Sequence, residues 1–249
     1  MRFMVNVAGL AALLLTTPAH ATKMSGKVSV KQALINALEQ AEQKRSKGAK
    51  DCYWNLPNGI IPVRPPGVDL SSDIAVVLYK DDASDSKPDE VRTVAVQTGQ
   101  LAKTVVVTRP GSTIKFTNES PYVHELYSPE HPDFKPEAQS KGAFRPIEFK
   151  SEGVYTVRCK RFPHFLGYVV VTKGRDLAVK SDGTFAEEIE PGSYSLKVFH
   201  QGSWIHKQSF TAEGNRMDPL SVPLSAKSGG GDSEEEETEN KEAPKKSDK

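Results

Sequence analysis

The stretch that decides the fold is Glu148–Thr172, with the sequence EFKSEGVYTVRCKRFPHFLGYVVVT. Two runs rich in β-branched and aromatic residues, Val154–Cys159 and Gly167–Lys173, flank a loop that contains Pro163 and His164. Such runs predict strands, whereas proline lacks the backbone N–H that the interior of a ladder needs. The segment therefore predicts two neighbouring strands and a short loop that begins after a cysteine and carries a histidine.

Four more short strand signals precede this pair, with turn residues between them. Pro110-Gly111 and Glu152-Gly153 mark two of the turns, where proline fixes φ and glycine permits a positive φ. Many short strands separated by turns are typical of a β-sandwich or barrel. We therefore predict an all-β protein with a β-sandwich or barrel over 91–173. The four signals lie at Arg92–Gln97, Ala102–Thr108, Ser112–Asn118 and Arg145–Lys150.

Cys159, His164 and the more distant His124 form a candidate site for one copper ion. A soft thiolate favours the cuprous state, while imidazole nitrogens bind both oxidation states, so this ligand set suits one-electron chemistry. A Cys and a His five positions apart on one loop can face a single metal, whereas His124 has to be delivered by the fold. The residues alone leave another interpretation open, because an exported protein with two cysteines usually pairs them, here as Cys52–Cys159.

The first 21 residues predict a secretory signal peptide. An apolar stretch, Val7–Leu15, follows Arg2 and precedes the small-residue cleavage site Ala19–Ala21. The apolar part is too short to span a bilayer, and no later segment is apolar for long enough. We therefore expect a periplasmic or secreted protein without a membrane span after removal of the signal.

The charge balance argues against nucleic acid as a partner. The chain has 33 basic and 32 acidic residues, and loss of Arg2 with the signal would make the two numbers equal. The charges are interspersed, without the clustered basic and aromatic residues of a nucleic-acid surface. We expect no nucleic-acid binding, and the oligomeric state stays open.

The central region resembles exported cupredoxin-like proteins of the methylamine-utilisation type, which are plastocyanin-like or azurin-like. The segment Gly111–Pro129 is similar to that family's strand, Asn-containing turn and first copper histidine, which places His124 at a ligand position. The segment Glu148–Thr172 is similar to its cysteine-ending strand, ligand loop and closing strand. The resemblance implies a cupredoxin-like Greek-key β-sandwich with one copper ion and a redox protein as partner.

The ligand loop departs from the family pattern in two places. Aligned on Pro163 and Tyr168, the chain has Phe162 where the resemblance implies the second histidine and Phe165 where it implies the axial methionine. His164 follows the proline instead. The expected site is thus His124, Cys159 and His164, with Phe165 or Tyr168 near the axial direction. Alternatively, the phenylalanines fill the space of a lost site.

A second resemblance covers the chain on both sides of this region. The motifs Asp182–Phe185 and Pro191–Tyr194 resemble the turns of a carboxypeptidase-regulatory or transthyretin-like sandwich. The early strand signals Ser25–Val30 and Ile74–Lys80 resemble the opening strands of the same family.

We therefore predict a discontinuous small sandwich, built from 23–80 and 174–225, with the cupredoxin-like domain 91–173 inserted. The alternative is two consecutive domains, with the N-terminal segment adding strands to the first. Within 23–80, a three-and-four spacing of apolar residues predicts a helix over 30–47, and the apolar but proline-rich segment 51–67 predicts a packed loop. Residues 226–249 have the charge and composition of a disordered tail.

The sequence contains none of the common motifs of catalysis, so we do not expect an enzyme. It has no Gly-rich phosphate loop, Gly-x-Ser-x-Gly elbow or His-Glu-x-x-His. Two functions remain: an exported copper-binding protein that carries one electron, or a copper-free envelope scaffold with a Cys52–Cys159 disulfide.

Overall fold

The computed structural model describes residues 21–30, 36, 69–81, 87–97, 99–213 and 218–224. These residues form sixteen β-strands, which confirms the predicted all-β class. No helix among them is long and apolar enough to cross a membrane. Several predicted features lie outside the described residues: the signal segment up to residue 20, the helix over 30–47 except positions 30 and 36, the loop 51–67 and the tail 226–249.

Nine strands form a first unit, the central sandwich. One sheet has the order β4-β3-β6-β9 and the other has the order β5-β11-β10-β7-β8. Both sheets are mixed, because β3 runs parallel to β6 and β5 runs parallel to β11. The strands are β3 Arg92–Gln97, β4 Gln100–Leu101, β5 Val105–Thr108, β6 Ser112–Asn118, β7 His124–Tyr127, β8 Glu137–Gln139, β9 Phe144–Phe149, β10 Gly153–Cys159 and β11 Leu166–Val171.

Alternating side chains from both sheets fill the core of the central sandwich. Along β6 every second residue is buried, as expected for a strand with one face on a core. Removal of this apolar surface from water is the main favourable term in its folding. The core includes Val94, Ile114, Phe116, Leu126, Phe149, Val157, Cys159, Phe165 and Val169.

The remaining seven strands form a second unit, the outer sandwich. Its sheets have the orders β13-β1-β16 and β12-β2-β14-β15, and its own core includes Met24, Val28, Val76, Phe185, Leu196 and Val222. The strands are β1 Thr22–Val30, β2 Ile74–Lys80, β12 Arg175–Leu177, β13 Thr184–Ile189, β14 Gly192–His200, β15 Ser203–Ala212 and β16 Leu220–Leu224.

Strands from the two ends of the chain are neighbours in the outer sandwich. β2 lies between β12 and β14, while β1 lies between β13 and β16. All four partners follow Gly174 in the sequence. β1 and β2 thus pair with strands that follow the central sandwich in the sequence, and the division into domains stays a prediction.

The strand predicted over Ala102–Thr108 begins three residues later in the structure, at Val105. The preceding Gln100–Leu101 pairs with β3 in one sheet, and Val105–Thr108 pairs with β11 in the other. The intervening residues form a bend in which the Ala102 N–H donates to the Ala95 carbonyl at 2.9 Å. The chain crosses between the sheets at this point, which the β propensity of the whole run concealed.

Candidate metal centre

Two predicted ligands, His124 and Cys159, come from neighbouring antiparallel strands. β7 begins at His124 and β10 ends at Cys159, and the register places Cys159 opposite Leu126. His124 lies two positions before Leu126 and is buried on the same side, because alternate residues of a strand share a face. Diagonal neighbours of this kind are about 7–8 Å apart at the backbone, within reach of long side chains.

Cys159 is a buried free thiol at the end of its strand. Its exposed fraction is 2%, and its Sγ accepts a hydrogen bond from the Glu125 N–H at 3.4 Å. The next backbone link, from the Lys160 N–H to the Glu125 carbonyl at 2.9 Å, continues the pairing beyond the strand end. Cys52, the other half of the disulfide considered above, lies outside the described residues, so that alternative stays open.

His124 is fully buried and has one nitrogen with a partner and one without. Its Nε2 lies 2.9 Å from Ser120 Oγ, whereas its buried Nδ1 has no hydrogen-bond partner. Burial disfavours the imidazolium and lowers the pKa of His124 to about 4, so the ring is neutral at physiological pH. A neutral imidazole with an uncommitted nitrogen is the form that binds a metal.

Ser120 determines which nitrogen of His124 is uncommitted. Its Oγ accepts the Tyr122 N–H at 3.0 Å and lies 3.2 Å from the Tyr122 carbonyl, to which it can donate its only proton. With that proton used, Oγ accepts from the imidazole, and we assign the proton of His124 to Nε2. Asn118 holds this turn, since its Oδ1 accepts the Ser120 N–H at 2.9 Å. Sequence reasoning missed Ser120; its signal was a small hydroxyl residue four positions before the histidine.

The loop from β10 to β11 does not bring the third predicted ligand to the other two. The Phe165 N–H donates to the Phe162 carbonyl at 2.9 Å, which closes a turn with Pro163 and His164 at its tip. Residues at the tip of a surface turn point away from the core, and the His164 side chain is accordingly exposed. Among the described residues, no three of His, Cys, Asp or Glu approach closely enough to hold a metal ion.

Phe162 lies against the imidazole of His124. Its ring stacks on the imidazole with centroids 4.7 Å apart and an interplanar angle of 29°. It also meets the ring of Tyr122 and the ring of His164, each with centroids 6.1 Å apart. Phe162 is half-buried and packs against the core of the central sandwich.

The two predicted axial neighbours lie on opposite sides of the second sheet. Phe165 is buried in the core, and its ring centroid is 5.7 Å from that of His124. Tyr168 does not approach the site. Side chains alternate along β11, so Tyr168 points to the other face and packs against Phe199 and the turn at Gly202.

The charged residues near the site are engaged with one another. Arg161 Nε lies 2.7 Å from Glu125 Oε1, which ties the ligand loop to β7. Glu130 accepts hydrogen bonds from Ser128 and from the Thr156 backbone, and the His131 Nε2–H donates to the Glu148 carbonyl at 2.9 Å. These residues make contacts of their own, although Nδ1 of His131, like that of His124, is buried without a hydrogen-bond partner. The candidate site that the predicted ligands form consists of His124 and Cys159 in aromatic surroundings.

The two donors suit copper only in a site of low coordination number. A thiolate and a neutral imidazole are the ligands that Cu(I) prefers. The buried Nδ1 of His124 has no hydrogen-bond partner, and a bound metal would give it one. The three-ligand arrangement expected from the sequence would require His164 to leave its exposed position at the tip of the loop.

Comparisons with known proteins give structural likenesses and no sequence relatives. No family model matches the chain, and no curated protein is similar in sequence. Similar solved structures include a purple cupredoxin from Nitrosopumilus maritimus, with 20% identity, a TM-score of 0.30, and coverage of 32% of this chain and 99% of that one.

Two further likenesses are to amicyanins. Amicyanin from Paracoccus versutus has 19% identity and a TM-score of 0.31, covering 38% of this chain and 97% of that one. An oxidised amicyanin variant has 15% identity and a TM-score of 0.31, covering 41% and 100%. The strand order and pairing of the central unit are consistent with a cupredoxin-like sandwich. The resemblance of the outer sandwich to transthyretin-like domains stays a prediction.

Proposed function

We propose that this protein is an exported copper-binding protein of the cell envelope, whose central sandwich binds one copper ion through His124 and Cys159 and passes single electrons to a protein partner. The observation that carries the proposal is a buried imidazole nitrogen without a partner and a buried thiol on the same face of one sheet. Nδ1 of His124 has no hydrogen-bond partner, and Cys159 is a free thiol whose Sγ accepts only the Glu125 N–H. Buried polar atoms without partners are uncommon in proteins, which supports a ligand at Nδ1 of His124.

The protein orients the two donors and surrounds them with apolar side chains. Bound copper would supply the exchange of one electron between Cu(I) and Cu(II). Ser120 holds the imidazole, and the Glu125 N–H donates to the sulfur, as outer contacts commonly do at metal sites. The aromatic surroundings of Phe162 and Phe165 disfavour the more highly charged Cu(II) and should raise the reduction potential. A redox partner would approach at the exposed tip of the ligand loop.

The test is metal binding by the purified protein and two serine variants. Cys159→Ser should lose stoichiometric Cu(I) uptake in competition with a chromophoric chelator, because the soft ligand is gone. Cys52→Ser is the matched control and should bind as the unmodified protein does. Equal Cu(I) binding by Cys159→Ser and the unmodified protein would refute the proposal.

The second candidate is a copper-free scaffold of the envelope. The stacking of Phe162 on His124 favours it, because an aromatic ring beside a former ligand is what a filled pocket contains. The scaffold would bind no Cu(I) at all. A count of reactive thiols in the denatured, unreduced protein would also show whether Cys52 and Cys159 pair in solution.

A further inference from the structure

We propose that the outer sandwich binds an acidic polysaccharide on the exposed face of β14 and β15. The inference goes beyond the proposed function, because this surface belongs to the outer sandwich and contains no residue of the candidate metal centre. It is called the lysine face below, and its side chains lie on the side of the sheet that is turned away from the core of the outer sandwich. They are Lys197, Lys207, Trp204, Ser195, Ser209 and Thr211.

Two lysines lie side by side at the centre of the lysine face. The register of β14 and β15 places Lys197 directly opposite Lys207. Like charges in such positions on antiparallel strands repel each other and lower stability. Among the described residues no carboxylate forms an ion pair with either ammonium. An anion bound between the two ammonium groups would therefore neutralise a charge that the fold itself leaves unbalanced.

A β-bulge brings Trp204 to the same face. The pairing of the two strands shifts by one residue between Val198 and Phe199, so that Phe199 is opposite Trp204 and Ile205 is the extra residue of β15. Without this shift Trp204 and Lys207, which are three positions apart, would lie on opposite faces. The indole meets the Phe199 ring edge to face with centroids 5.4 Å apart, and 39% of Trp204 is exposed. The bulge thus adds a large exposed aromatic ring to the lysine face.

Ring contacts hold one of the two ammonium groups in place. Nζ of Lys197 is 4.6 Å from the centroid of the Tyr79 ring and 5.8 Å from that of the Trp204 ring. Attraction between a cation and an aromatic ring orients the ammonium without neutralising its charge. Lys197 is half-buried, whereas Lys207 is exposed. One of the two charges is therefore positioned before a ligand arrives, which lowers the entropy cost of binding.

Hydroxyl groups continue the face beyond the lysines. Ser195 is opposite Ser209, two positions along each strand from the lysines, and Thr211 follows two positions later on β15. Each hydroxyl can both donate and accept a hydrogen bond. From Trp204 to Thr211 the face extends for roughly 20 Å at the usual rise of about 3.3 Å per residue. Among the described residues β15 is an edge strand of its sheet, so one side of the face is open to an extended ligand.

This combination of groups suits an acidic polysaccharide better than an acidic peptide. A sugar ring has an apolar face of C–H groups that can stack on the exposed indole, and its hydroxyls can bond to those of serine and threonine. A carboxylate on the ring would lie between Lys197 and Lys207. A run of acidic side chains would use the lysines alone and leave the indole without a role. The ligand is therefore an extended chain of sugar rings that carry carboxylates.

The experiment titrates the full chain with alginate, a polymer of uronic acids, in an isothermal calorimeter. Dextran, which is a neutral polysaccharide, and polyglutamate, which is an acidic peptide, are the comparison polymers. Alginate should bind, and its affinity should fall severalfold between about 20 and 150 mM salt because added ions screen exposed charges. Dextran should not bind measurably, since it lacks carboxylates. Polyglutamate should bind about tenfold more weakly than alginate or worse, because it cannot stack on the indole.

Substitutions within the lysine face separate stacking from charge. Trp204→Ala should weaken alginate binding about tenfold or more, and Trp204→Phe, which keeps a ring, should recover most of the loss. Lys207→Gln should weaken binding on the order of three- to tenfold at low salt and by less at high salt. The same substitution should raise the urea midpoint of unfolding without ligand, because it removes the repulsion from Lys197. A lysine that only solvates the surface would not show these opposite effects on binding and stability.

Two exposed residues elsewhere serve as matched controls. Lys27→Gln changes an exposed lysine of β1, in the other sheet of the outer sandwich, and Phe144→Ala truncates a phenylalanine of β9 that is 57% exposed. Both variants should bind alginate as the unmodified protein does. NMR adds a local readout, because the indole N–H signal that is absent in Trp204→Phe belongs to Trp204 and should shift with alginate. Circular dichroism checks folding, and Trp204→Leu replaces Trp204→Ala if the latter does not fold.

Four results would overturn the inference. They are no alginate binding, unchanged binding in the Trp204 variants that lack a ring, equal affinity for alginate and polyglutamate, and equal weakening by Lys207→Gln and Lys27→Gln. The third would indicate an acidic peptide as the partner, and the fourth would indicate nonspecific attraction between charges. None of these results bears on copper binding, so the proposed function is tested separately.

Discussion

Ser120 is the residue through which the metal centre can be tested without touching a donor. Its Oγ lies 2.9 Å from Nε2 of His124, and Ser120 is itself 2% exposed. Ser120→Ala leaves that nitrogen buried without a partner and frees the ring to change tautomer. We expect Cu(I) affinity to fall on the order of ten- to a hundredfold and stability to fall by about 1–3 kcal/mol. Chelator competition and urea unfolding measure the two effects.

A second buried serine provides the control for this variant. Ser128 is 4% exposed and donates to Glu130 at 2.9 Å. It directly follows β7, whereas His124 is the first residue of that strand. Ser128→Ala should lower stability by a comparable amount and leave Cu(I) affinity unchanged. If both variants bind Cu(I) as tightly as the unmodified protein, Ser120 has no part in the metal centre.

Buried His124 should make the metal-free protein less stable as the pH falls. Its pKa is about 4 in the folded state because burial disfavours the imidazolium, whereas an unfolded histidine titrates near its ordinary value of about 6.5. Between these values the unfolded chain binds a proton that the folded protein does not. The stability due to this group is thus complete above the upper value and declines below it, by at most about 1.4 kcal/mol per pH unit.

The measurement is urea unfolding between about pH 7 and pH 5, which is above the usual carboxyl range. His124→Gln removes the titrating group and should flatten the decline. His200 is also buried with a lowered pKa, so part of the decline will remain in that variant. Identical pH dependence in the variant and the unmodified protein would contradict the assigned burial effect.

At the scale of elements, the sequence was sufficient for most strands because their apolar residues either alternate with polar ones or form short continuous runs. β3 and β6 alternate, β2 is a run of buried residues, and all three begin and end where the pattern predicted. β8 and β12 were missed, since each has three residues and too few side chains for a period to appear. The pairing of early strands with late ones could be proposed only from a family resemblance, because pairing across such distances leaves no periodic signal.

The candidate site was predictable in its strands and not in its loop. His124 and Cys159 lie at strand ends, so alternation fixes their common face. The orientation of His164 depends on one hydrogen-bonded turn, whose position in the loop the sequence pattern does not determine. Tyr168 was misplaced for the same reason, because the loop hides the point at which strand alternation resumes.

The turn before β13 should be unusually sensitive to substitution. Gly183 has φ of +83°, and a Cβ there would collide with the Val28 carbonyl oxygen of β1. The left-handed backbone conformation and the clash each cost free energy, so Gly183→Ala should lower the free energy of unfolding by about 3 kcal/mol or more. Thermal or urea unfolding of the variant measures the loss, which would fall on the link between the early and late strands.

Gly142 is the matched control for this turn. Its φ is +80°, but no atom lies within 4 Å of the position of a Cβ. Gly142→Ala should therefore lower the free energy of unfolding only by the cost of a left-handed backbone conformation, about 1–2 kcal/mol. Equal losses in the two variants would show that the contact with Val28 contributes nothing.

At the scale of the whole molecule, the two sandwiches share an apolar layer. β2 and β14 of the outer sandwich contribute Ala75, Val77 and Phe199, and β5 and β11 of the central sandwich contribute Val105, Val107 and Val170, all buried. Polar links border this layer: the Val105 N–H donates to the Ser72 carbonyl at 3.0 Å, and the hydroxyls of Tyr79 and Thr172 are 2.8 Å apart. The outer sandwich thus covers the outer face of β11 and leaves the tip of the ligand loop exposed.

Asp176 is the charged residue on which this association can be tested. It belongs to β12 of the outer sandwich, and its Oδ2 lies 3.1 Å from Lys103 Nζ and 3.5 Å from Arg92 of the central sandwich. Its side chain is only 16% exposed, so its two ion pairs are better shielded than those of an open surface. Asp176→Asn keeps the shape and removes the charge, and we expect a loss of about 1–2 kcal/mol.

Calorimetry reports both the loss and its location. Because the shared layer couples the sandwiches, the unmodified protein should unfold in a single transition, and Asp176→Asn should broaden it toward two. Lys150→Ala breaks the exposed pair of Lys150 with Glu148 inside the central sandwich and should change stability by less than about 0.5 kcal/mol. Two separate transitions in the unmodified protein would mean that the sandwiches unfold independently and that the metal centre belongs to an independently folding unit. An equal effect of the two substitutions would mean that Asp176 does not join the sandwiches.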